Sequence, residues 1–233
     1  MKISAVNIIS TLYFNFKFLP FKQAIHLPIV LYHKVRIIRN TGKILITTDE
    51  IKFKMVQIGA HGSDMFYNQT TTLDIAGHIN INGGHIRIGH GSLLRVESNA
   101  VIYFNDNSII GANNTIFSCC SITFCSNSLF SWHCQIMDSD THGLRNLETG
   151  DDIEMTKPIV IGPDTWIGNH VIINKGTVIP KGVIVSAFSL CNKNYTDIVP
   201  FYSVIGGIPA KLIKKNVGRK FLNASFMDAN SQD

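Results

Sequence analysis

Two aspartates and a histidine lie within five residues of one another, in the segment DSDTH at 138–142. A neutral histidine can take a proton from a hydroxyl group, and a carboxylate close to it can hold the imidazole in one tautomer. The same residue types also form polar turns, in which aspartates accept hydrogen bonds from the backbone. These residues alone leave both interpretations open, so the choice depends on the surrounding sequence.

The chain downstream of this segment repeats every six residues, in the order IGPDTW, IGNHVI, INKGTV, IPKGVI and VSAFSL, from Ile161 onward. The first position is Ile or Val throughout, and the fifth is Thr, Val or Ser. An α-helix needs an apolar period of about 3.6 residues and an ordinary strand one of about two, whereas six suits strands joined by regular corners. The repeats therefore predict a β-solenoid with the first and fifth side chains pointing inward. Gly, Asn and Pro near the corners are expected to supply turn geometry.

The same rhythm continues upstream less regularly, through Ile88 and Ile110, and is shifted by two residues from Phe124 onward. We interpret the upstream part as irregular early coils and the polar segment before Pro158 as an excursion between coils. The predicted division is an N-terminal cap or extension at 1–40, a β-helix at 41–210 with an excursion loop at 138–158, and a short C-terminal helix and tail at 211–233.

Composition excludes several classes of protein. The 233 residues are 45% hydrophobic and 16% charged, which excludes a disordered chain. The net charge of +5 is spread without a dense basic tract, so we expect no nucleic-acid partner. Five cysteines, an odd number without a CxxC pair, indicate reduced thiols and neither a disulfide framework nor a zinc knuckle.

The N-terminal segment carries no charge from residue 3 to residue 16. This run is shorter than the roughly 20 residues that cross a bilayer, and no convincing cleavage site for a signal peptide follows it. A helix that covers one open end of the solenoid is the favoured interpretation, because open repeat stacks need capping. Peripheral contact with a membrane surface is the alternative, and the sequence leaves it open.

Three segments together carry a resemblance to a known family: DSDTH, then KPIVIGPDTWIGNHVIINKGTVIPKGVIVSAFSL, then GGIPAKLIKK. The region from 131 to 215 resembles the left-handed parallel β-helix (hexapeptide-repeat) acyltransferases, in particular the bacterial sugar and polysaccharide O-acetyltransferases. The resemblance implies an all-β left-handed solenoid that assembles as a homotrimer, with active sites between neighbouring solenoids. It also implies acetyl-CoA as co-substrate along the outer groove of the C-terminal coils, a sugar or glycan acceptor, and no metal. We expect a cytoplasmic protein, and a position at the inner face of the membrane stays open.

The resemblance assigns roles to individual residues. His142 matches the general base that takes the proton of the acceptor hydroxyl, and Asp138 and Asp140 are the candidates to orient it. The residues expected to bind acetyl-CoA are Trp166, Ser186, Ala187, Lys193, Lys211 and Lys214. Trp132 and His133, which precede the motif by one repeat, are expected to line the acceptor cleft. The donor to the oxyanion, the acceptor and the length of the acyl chain stay open.

Two other functions compete with this prediction. A metalloenzyme resembling the γ-class carbonic anhydrases would need histidine ligands on adjacent coils, and His85 and His90 have a spacing that this class uses. The further histidines available for such a site are His61, His78, His133 and His170. A solenoid that only binds a partner is the second alternative, since repeat folds offer extended surfaces.

Overall fold

The computed structural model describes residues 6–32, 34–48, 50–60 and 69–220. Two short helices precede a long series of strands. The helices are α1 (Ile8–Phe18) and α2 (Phe21–Ala24). The strands are β1 (Ile29–Leu31), β2 (Val35–Asn40), β3 (Lys43–Ile46), β4 (Val56–Ala60), β5 (Thr71–Ile75), β6 (His78–Asn82), β7 (Ile86–Gly89), β8 (Leu93–Val96), β9 (Val101–Asn105), β10 (Ile109–Ile110), β11 (Thr115–Ser118), β12 (Ser121–Phe124), β13 (Leu129–Phe130), β14 (Gln135–Met137), β15 (Leu144–Arg145), β16 (Asp152–Ile153), β17 (Ile159–Ile161), β18 (Trp166–Ile167), β19 (Ile172–Asn174), β20 (Val178–Ile179), β21 (Ile184–Val185), β22 (Leu190–Cys191), β23 (Val204–Gly207) and β24 (Ala210–Lys214).

Three parallel sheets form the faces of a triangular prism, and each coil of the chain visits them in turn. Sheet 1 has the order β1-β4-β7-β10-β13-β18-β21-β23-β24, sheet 2 has β2-β5-β8-β11-β14-β19-β22, and sheet 3 has β3-β6-β9-β12-β17-β20. We call the corners where the chain passes between sheets the 1/2 edge, the 2/3 edge and the 3/1 edge. The fold is the predicted left-handed parallel β-helix.

The inward positions of the repeats are those that the sequence predicts. At the first position, Ile161, Ile167 and Ile173 are fully buried, and so are Thr165 and Thr177 at the fifth. Each late coil stacks its aliphatic side chain on the one eighteen residues earlier, as in the pairing of Ile161 with Ile179. The core is therefore a continuous column of aliphatic side chains.

The early coils are longer than the late ones. Ile110 pairs with Phe130 and Ile102 pairs with Ile122, a spacing of twenty residues. The third strand of these coils is also longer, as in β9 and β12. A coil of twenty residues accounts for the two-residue shift of the repeat in the sequence.

The corners of the late coils share one backbone conformation. The fourth position of every late repeat adopts the left-handed conformation, with φ of 60° at Asp164, 56° at His170, 74° at Gly176, 69° at Gly182 and 56° at Phe188. The second position does not supply this geometry. Glycine near the corners supplies the turn geometry in two of the five repeats, and Asp164, His170 and Phe188 supply it in the other three.

The second-position glycines instead allow neighbouring coils to approach closely. A methyl group at Gly162 would lie 2.5 Å from the carbonyl oxygen of Ile179, and one at Gly168 would lie 2.7 Å from the amide nitrogen of Ala187. Both contacts are with backbone atoms, which cannot move aside as a flexible side chain would. Only glycine fits these two positions.

The N-terminal helix closes one end of the prism, as predicted. Phe14 and Phe18 of α1 are buried and belong to the same apolar core as Ile29 and Ile44 of the first coil. Their rings lie 4.5 Å apart between centroids. The first coil begins at β1, inside the segment that the sequence assigned to the cap.

Polar side chains of α1 also pair with the exposed edge of sheet 1. Asn15 donates to the carbonyl oxygens of Thr11 and Ile29 (2.7 and 2.6 Å) and accepts from the amide of Ile29 (3.1 Å). The hydroxyl of Thr11 contacts both the amide and the carbonyl of Leu31 (3.0 and 3.3 Å). An unpaired edge strand is a template for association with other chains, and α1 covers it.

The predicted C-terminal helix was wrong over the described residues. Ala210–Lys214 forms β24, which pairs antiparallel with β23 after a turn through Gly207 and Pro209. Gly207 has a φ of 102°, which reverses the chain, and β24 then satisfies backbone groups at the far edge of sheet 1. The remainder of the predicted tail, 221–233, lies outside the described residues.

Candidate active site

The excursion loop at 138–158 leaves the prism at the 2/3 edge, between β14 and β17. Its two ends are held together by an antiparallel bridge between Ser139 and Thr156 and by a 3.0 Å hydrogen bond from the amide of Asp140 to the carbonyl of Met155. A small hairpin of β15 and β16 lies further out. The segment DSDTH thus forms one side of a closed base from which the loop projects.

Asp138 anchors this loop to the preceding coil. Its carboxylate is fully buried and accepts hydrogen bonds from the hydroxyl of Ser118 (2.7 Å) and from the amides of Cys119 (2.6 Å) and Cys120 (3.0 Å). Burial, and then the charge of Asp138, raise the pKa of Cys120 to about 11, so this thiol stays protonated at neutral pH. The carboxylate of Asp138 is therefore engaged by groups other than His142.

Asp140 ties the loop to the following coil. Its carboxylate lies 2.5 Å from the ammonium of Lys175, which comes from the 2/3 edge one coil further on. The same ammonium donates to the carbonyl of Glu154 on the other side of the loop (2.5 Å). Lys175 therefore fixes both sides of the loop base against the solenoid.

His142 is exposed and contacts its neighbour Thr141. The Nδ1 atom of His142 lies 3.1 Å from the hydroxyl of Thr141, and that hydroxyl lies 2.6 Å from the carbonyl oxygen of Asp140. Thr141 has a φ of 62°, an unusual conformation for a β-branched residue, and this conformation brings its hydroxyl to the ring. In the described part of the chain, neither aspartate of the motif hydrogen-bonds to the imidazole.

The contacts of Thr141 favour one tautomer of His142. A hydroxyl has one proton, and donation to the carbonyl of Asp140 leaves its oxygen as an acceptor. The Nδ1 atom of His142 then carries the proton, and Nε2 keeps a free electron pair. The exposed Nε2 can accept a proton from a group that approaches the loop from solvent.

A second group of predicted residues lies on sheet 1 and its borders. Trp166 begins β18 on the outer face and is 40% exposed, with its indole nitrogen 3.2 Å from the hydroxyl of Ser131. Ser186 and Ala187 follow β21 at the 1/2 edge. The exposed Lys211 and Lys214 lie on β24, the last strand of the sheet. The late strands β18, β21 and β24 thus bring an indole, two small residues and two cations to one side of the prism.

Trp132 and His133 also lie at the 1/2 edge. The ring of His133 stacks on that of His170 (5.0 Å between centroids), and His170 stacks on Phe188 (4.6 Å). Burial, and then the charge of His170, lower the pKa of His133. These rings form a ladder along three coils beside Ser186.

Lys193 stands apart from the other lysines. It follows β22 at the 2/3 edge, two coils beyond the loop that carries His142, and its ammonium lies 5.8 Å from the ring centroid of Tyr195. The 2/3 edge is the corner of the prism opposite sheet 1. Within one chain, His142 and Lys193 therefore lie on the opposite side from Trp166.

The histidines considered for a metal site do not converge. His85 and His90 lie beyond opposite ends of β7, at the 3/1 edge and the 1/2 edge. Across the described residues, no group of three or more His, Cys, Asp or Glu side chains is arranged to hold a metal ion. His61 lies outside the described residues.

Two residues of the loop region were missed in the sequence. Thr141 contacts the imidazole, and its place inside the motif was a usable signal. Lys175 pairs with Asp140, but it occupies a corner position of its repeat where the sequence gives no sign of its partner.

Comparisons with known proteins place these features in context. No family model matches the chain. A protein of Escherichia coli named for O-acetyl transfer in lipopolysaccharide biosynthesis, WbbJ, is 31% identical over 147 residues, which are 60% of this chain and 72% of that protein. A probable acetyltransferase of Mycobacterium tuberculosis is 30% identical over 134 residues, 57% of this chain but only 43% of that protein, so the chain spans less than half of this relative.

A solved structure has a similar fold. The polysialic acid O-acetyltransferase OatWY superposes with a TM-score of 0.53 over 88% of this chain and 93% of that one, at 22% sequence identity. At this identity the likeness concerns the architecture alone.

Proposed function

We propose that this chain transfers an acetyl group from acetyl-CoA to a hydroxyl of a sugar or cell-surface polysaccharide precursor. The chain belongs to the left-handed β-helix (hexapeptide-repeat) acyltransferase family, and the proposal starts from that membership. The observation that carries the proposal is the exposed imidazole of His142, whose Nδ1 atom contacts the hydroxyl of Thr141 at 3.1 Å and leaves Nε2 for the acceptor. The name of the Escherichia coli relative, which refers to lipopolysaccharide biosynthesis, supports the choice of a glycan acceptor.

His142 serves as general base in the proposed reaction. A sugar hydroxyl is a poor nucleophile at neutral pH, and Nε2 takes its proton as the oxygen attacks the thioester carbonyl. The tetrahedral intermediate then collapses, the carbon–sulfur bond breaks, and the imidazolium returns the proton to the thiolate of CoA. Thr141 and the carbonyl of Asp140 take the orienting role that the sequence assigned to a carboxylate.

The aspartates of the motif then act as positioning residues. Asp138 holds the start of the loop against the preceding coil, and Asp140 holds it against Lys175. Both keep His142 in place without touching the acceptor.

Acetyl-CoA fits the side of the prism formed by sheet 1. The small side chains of Ser186 and Ala187 permit close approach of the pantetheine arm to backbone amides. Lys211 and Lys214 are exposed on β24 and can meet the phosphates as point charges, and Trp166 forms a wall of the groove.

The active site is completed by a second chain. His142 lies at the 2/3 edge and Trp166 on the opposite face, so the two meet only when the edge of one solenoid faces sheet 1 of a neighbour. Head-to-tail contacts of this kind form a closed ring when the rotation between chains closes, and the proposed ring contains three chains. In this homotrimer, Trp132 and His133 of one chain lie beside the cleft, and Lys193 joins it from the chain that supplies His142.

Lipid-linked glycans are suitable acceptors for such a cleft, since these precursors are assembled at membranes. This acceptor would place a cytoplasmic enzyme at the inner face of the membrane. Among the described residues, no helix combines the length and the apolar character needed to cross a bilayer.

Release of free thiol from acetyl-CoA, with a panel of sugars and glycans, tests the proposal. We expect acceptor-dependent release that His142→Ala lowers by about 10²–10⁴-fold, the usual contribution of a general base, with CoA binding retained. His78→Ala, which removes an exposed histidine of sheet 3, is the matched control and should keep full activity. Equal activity of His142→Ala and the wild type would refute the role of this residue.

Mixing two inactive variants tests the shared site. Chains with His142→Ala and chains with Trp166→Ala, unfolded and reassembled together in equal amounts, should recover about a quarter of the wild-type activity, because one site in four then combines an intact histidine with an intact tryptophan. No recovery from two variants that each form trimers would place both residues in a site within one chain.

A further inference from the structure

The cap of the solenoid carries an unpartnered apolar surface. While one side of α1 packs on the core, the other side exposes large apolar side chains, and α2 continues this surface. Ile9 is 83% exposed and Phe21 is 71% exposed. The further members of this cap surface are Ile8, Leu12, Tyr13, Phe16 and Ile25. Contiguous exposed apolar side chains of this size mark an interaction site.

The charged residues of α1 and α2 are all lysines. Residues 1–48 contain seven lysines and arginines and neither aspartate nor glutamate. Lys17 near the end of α1 and Lys22 in α2 are exposed beside the apolar side chains. Glu50, the first acidic residue described after the cap, already pairs with Lys52 at 3.0 Å.

This combination selects one kind of partner. Contact between two copies of the cap surface would bring Lys17 and Lys22 against the same residues, and this repulsion disfavours self-association. Apolar side chains flanked by lysines fit an anionic lipid surface, where the rings enter the headgroup region and the ammonium groups remain among the phosphates. We propose that the cap surface docks the end of the solenoid onto an anionic membrane.

End-on docking fixes the height of the loop above the membrane. The loop leaves the fifth coil, and β14 stands four strand spacings from β2 in sheet 2. At roughly 4.8 Å per spacing, the coil of His142 lies about 19 Å beyond the first coil, with the cap helices between that coil and the lipid. Provided that the proposed acetyl transfer is correct, the acceptor is a lipid-linked oligosaccharide long enough to reach this height, and not a single sugar on a lipid.

Sedimentation with vesicles tests the docking. The wild-type protein should bind vesicles of equal parts phosphatidylcholine and phosphatidylglycerol and should not bind vesicles of phosphatidylcholine alone. The triple variant Ile9→Gln, Phe16→Gln and Phe21→Gln should lose binding, and its thermal unfolding should match the wild type because these side chains are exposed. Three exposed apolar residues at the other end of the prism provide the control, as Ile198→Gln, Phe201→Gln and Ile208→Gln, which should bind normally.

The lysines are tested separately from the apolar residues. Removing both charges with Lys17→Gln and Lys22→Gln should weaken vesicle binding about 25-fold, since each basic residue near an anionic surface contributes about fivefold. Lys157→Gln with Lys181→Gln removes the same charge elsewhere and should leave binding unchanged. Equal binding by the wild type and the apolar triple variant, or equal binding to both kinds of vesicle, would overturn the proposal. A larger assembly in solution that the triple variant abolishes would assign the surface to a second copy.

Activity assays separate this proposal from that of the preceding subsection. The apolar triple variant should lose transfer to an oligosaccharide anchored in mixed vesicles and keep transfer to the same oligosaccharide free in solution. Equal loss for both acceptors would refute the role of the cap in presenting the acceptor. If the protein transfers acetyl to neither acceptor, the proposed acetyltransferase activity fails while vesicle binding still decides the docking.

Discussion

Removal of the Asp138 carboxylate should destabilise the whole protein. The variant Asp138→Ala leaves the hydroxyl of Ser118 and the amides of Cys119 and Cys120 without their acceptor at a site that is fully buried in the wild type. Each buried donor left unsatisfied costs about 1–3 kcal/mol, so three donors with partial relaxation cost about 3–5 kcal/mol. For a chain of this length 1 kcal/mol corresponds to roughly 2–4 °C in Tm, and we expect Tm to fall by about 10 °C.

Thermal unfolding of matched variants separates anchoring from chemistry. His142→Ala changes an exposed side chain and should leave Tm within about 1–2 °C of the wild type while activity falls. Asp138→Ala should lower Tm by the larger amount and lose activity only as far as the loop loses its position. An Asp138→Ala protein with the wild-type Tm and no activity at any temperature would refute the anchoring role and return Asp138 to the chemistry.

Three further predictions concern stability. Asn15→Leu should lower the free energy of unfolding by about 2–4 kcal/mol in urea titrations, because it leaves the amide and the carbonyl of Ile29 in the edge strand unpaired. A loss below about 0.5 kcal/mol would contradict this. Gly168→Ala should lower the free energy of unfolding by more than about 2 kcal/mol, because the added methyl group would lie 2.7 Å from a backbone atom. Gly176→Ala should lower it by only about 1 kcal/mol, which is the strain of a φ of 74°. The reverse order of the two Tm values would refute these roles. The hydrogen bond from Arg39 lowers the pKa of Glu97 to about 2, so this carboxylate stabilises the fold fully above about pH 4.5, and that stability is lost as the pH falls through about 2. Glu97→Gln should lack this part of the pH dependence, and identical acid unfolding curves would exclude it.

The repeat carried most of the information about the fold. One aliphatic residue every six positions is enough to place the inner column, because the same positions stack in every coil. The left-handed corners could not be read in the same way. Asp164, His170 and Phe188 occupy them beside two glycines, and only the stacking of coils shows that they share one conformation.

The sequence was enough to predict the general base of the candidate site, but not the contacts that hold its loop in place. His142 is identified by the motif and the repeats that follow it. The partners of Asp138 come from a corner about one coil earlier, and the partner of Asp140 comes from the next coil. Such contacts depend on the register between coils, which a single repeat does not encode. The C-terminal strand was missed for a similar reason, since its pairing with β23 depends on a turn that reverses the chain.

The architecture itself argues that one chain carries only part of the proposed active site. The interior of the prism is filled by buried aliphatic side chains, so no movement through the core can bring the 2/3 edge to sheet 1. The loop is also tied to the solenoid at both sides of its base, by Asp138 to the coil before it and by Lys175 to the coil after it. A base held on one edge can serve a donor on the opposite face only when a second solenoid presents that face to it. The anchoring contacts therefore keep His142 at the 2/3 edge, where in the proposed trimer it would face sheet 1 of a neighbouring chain.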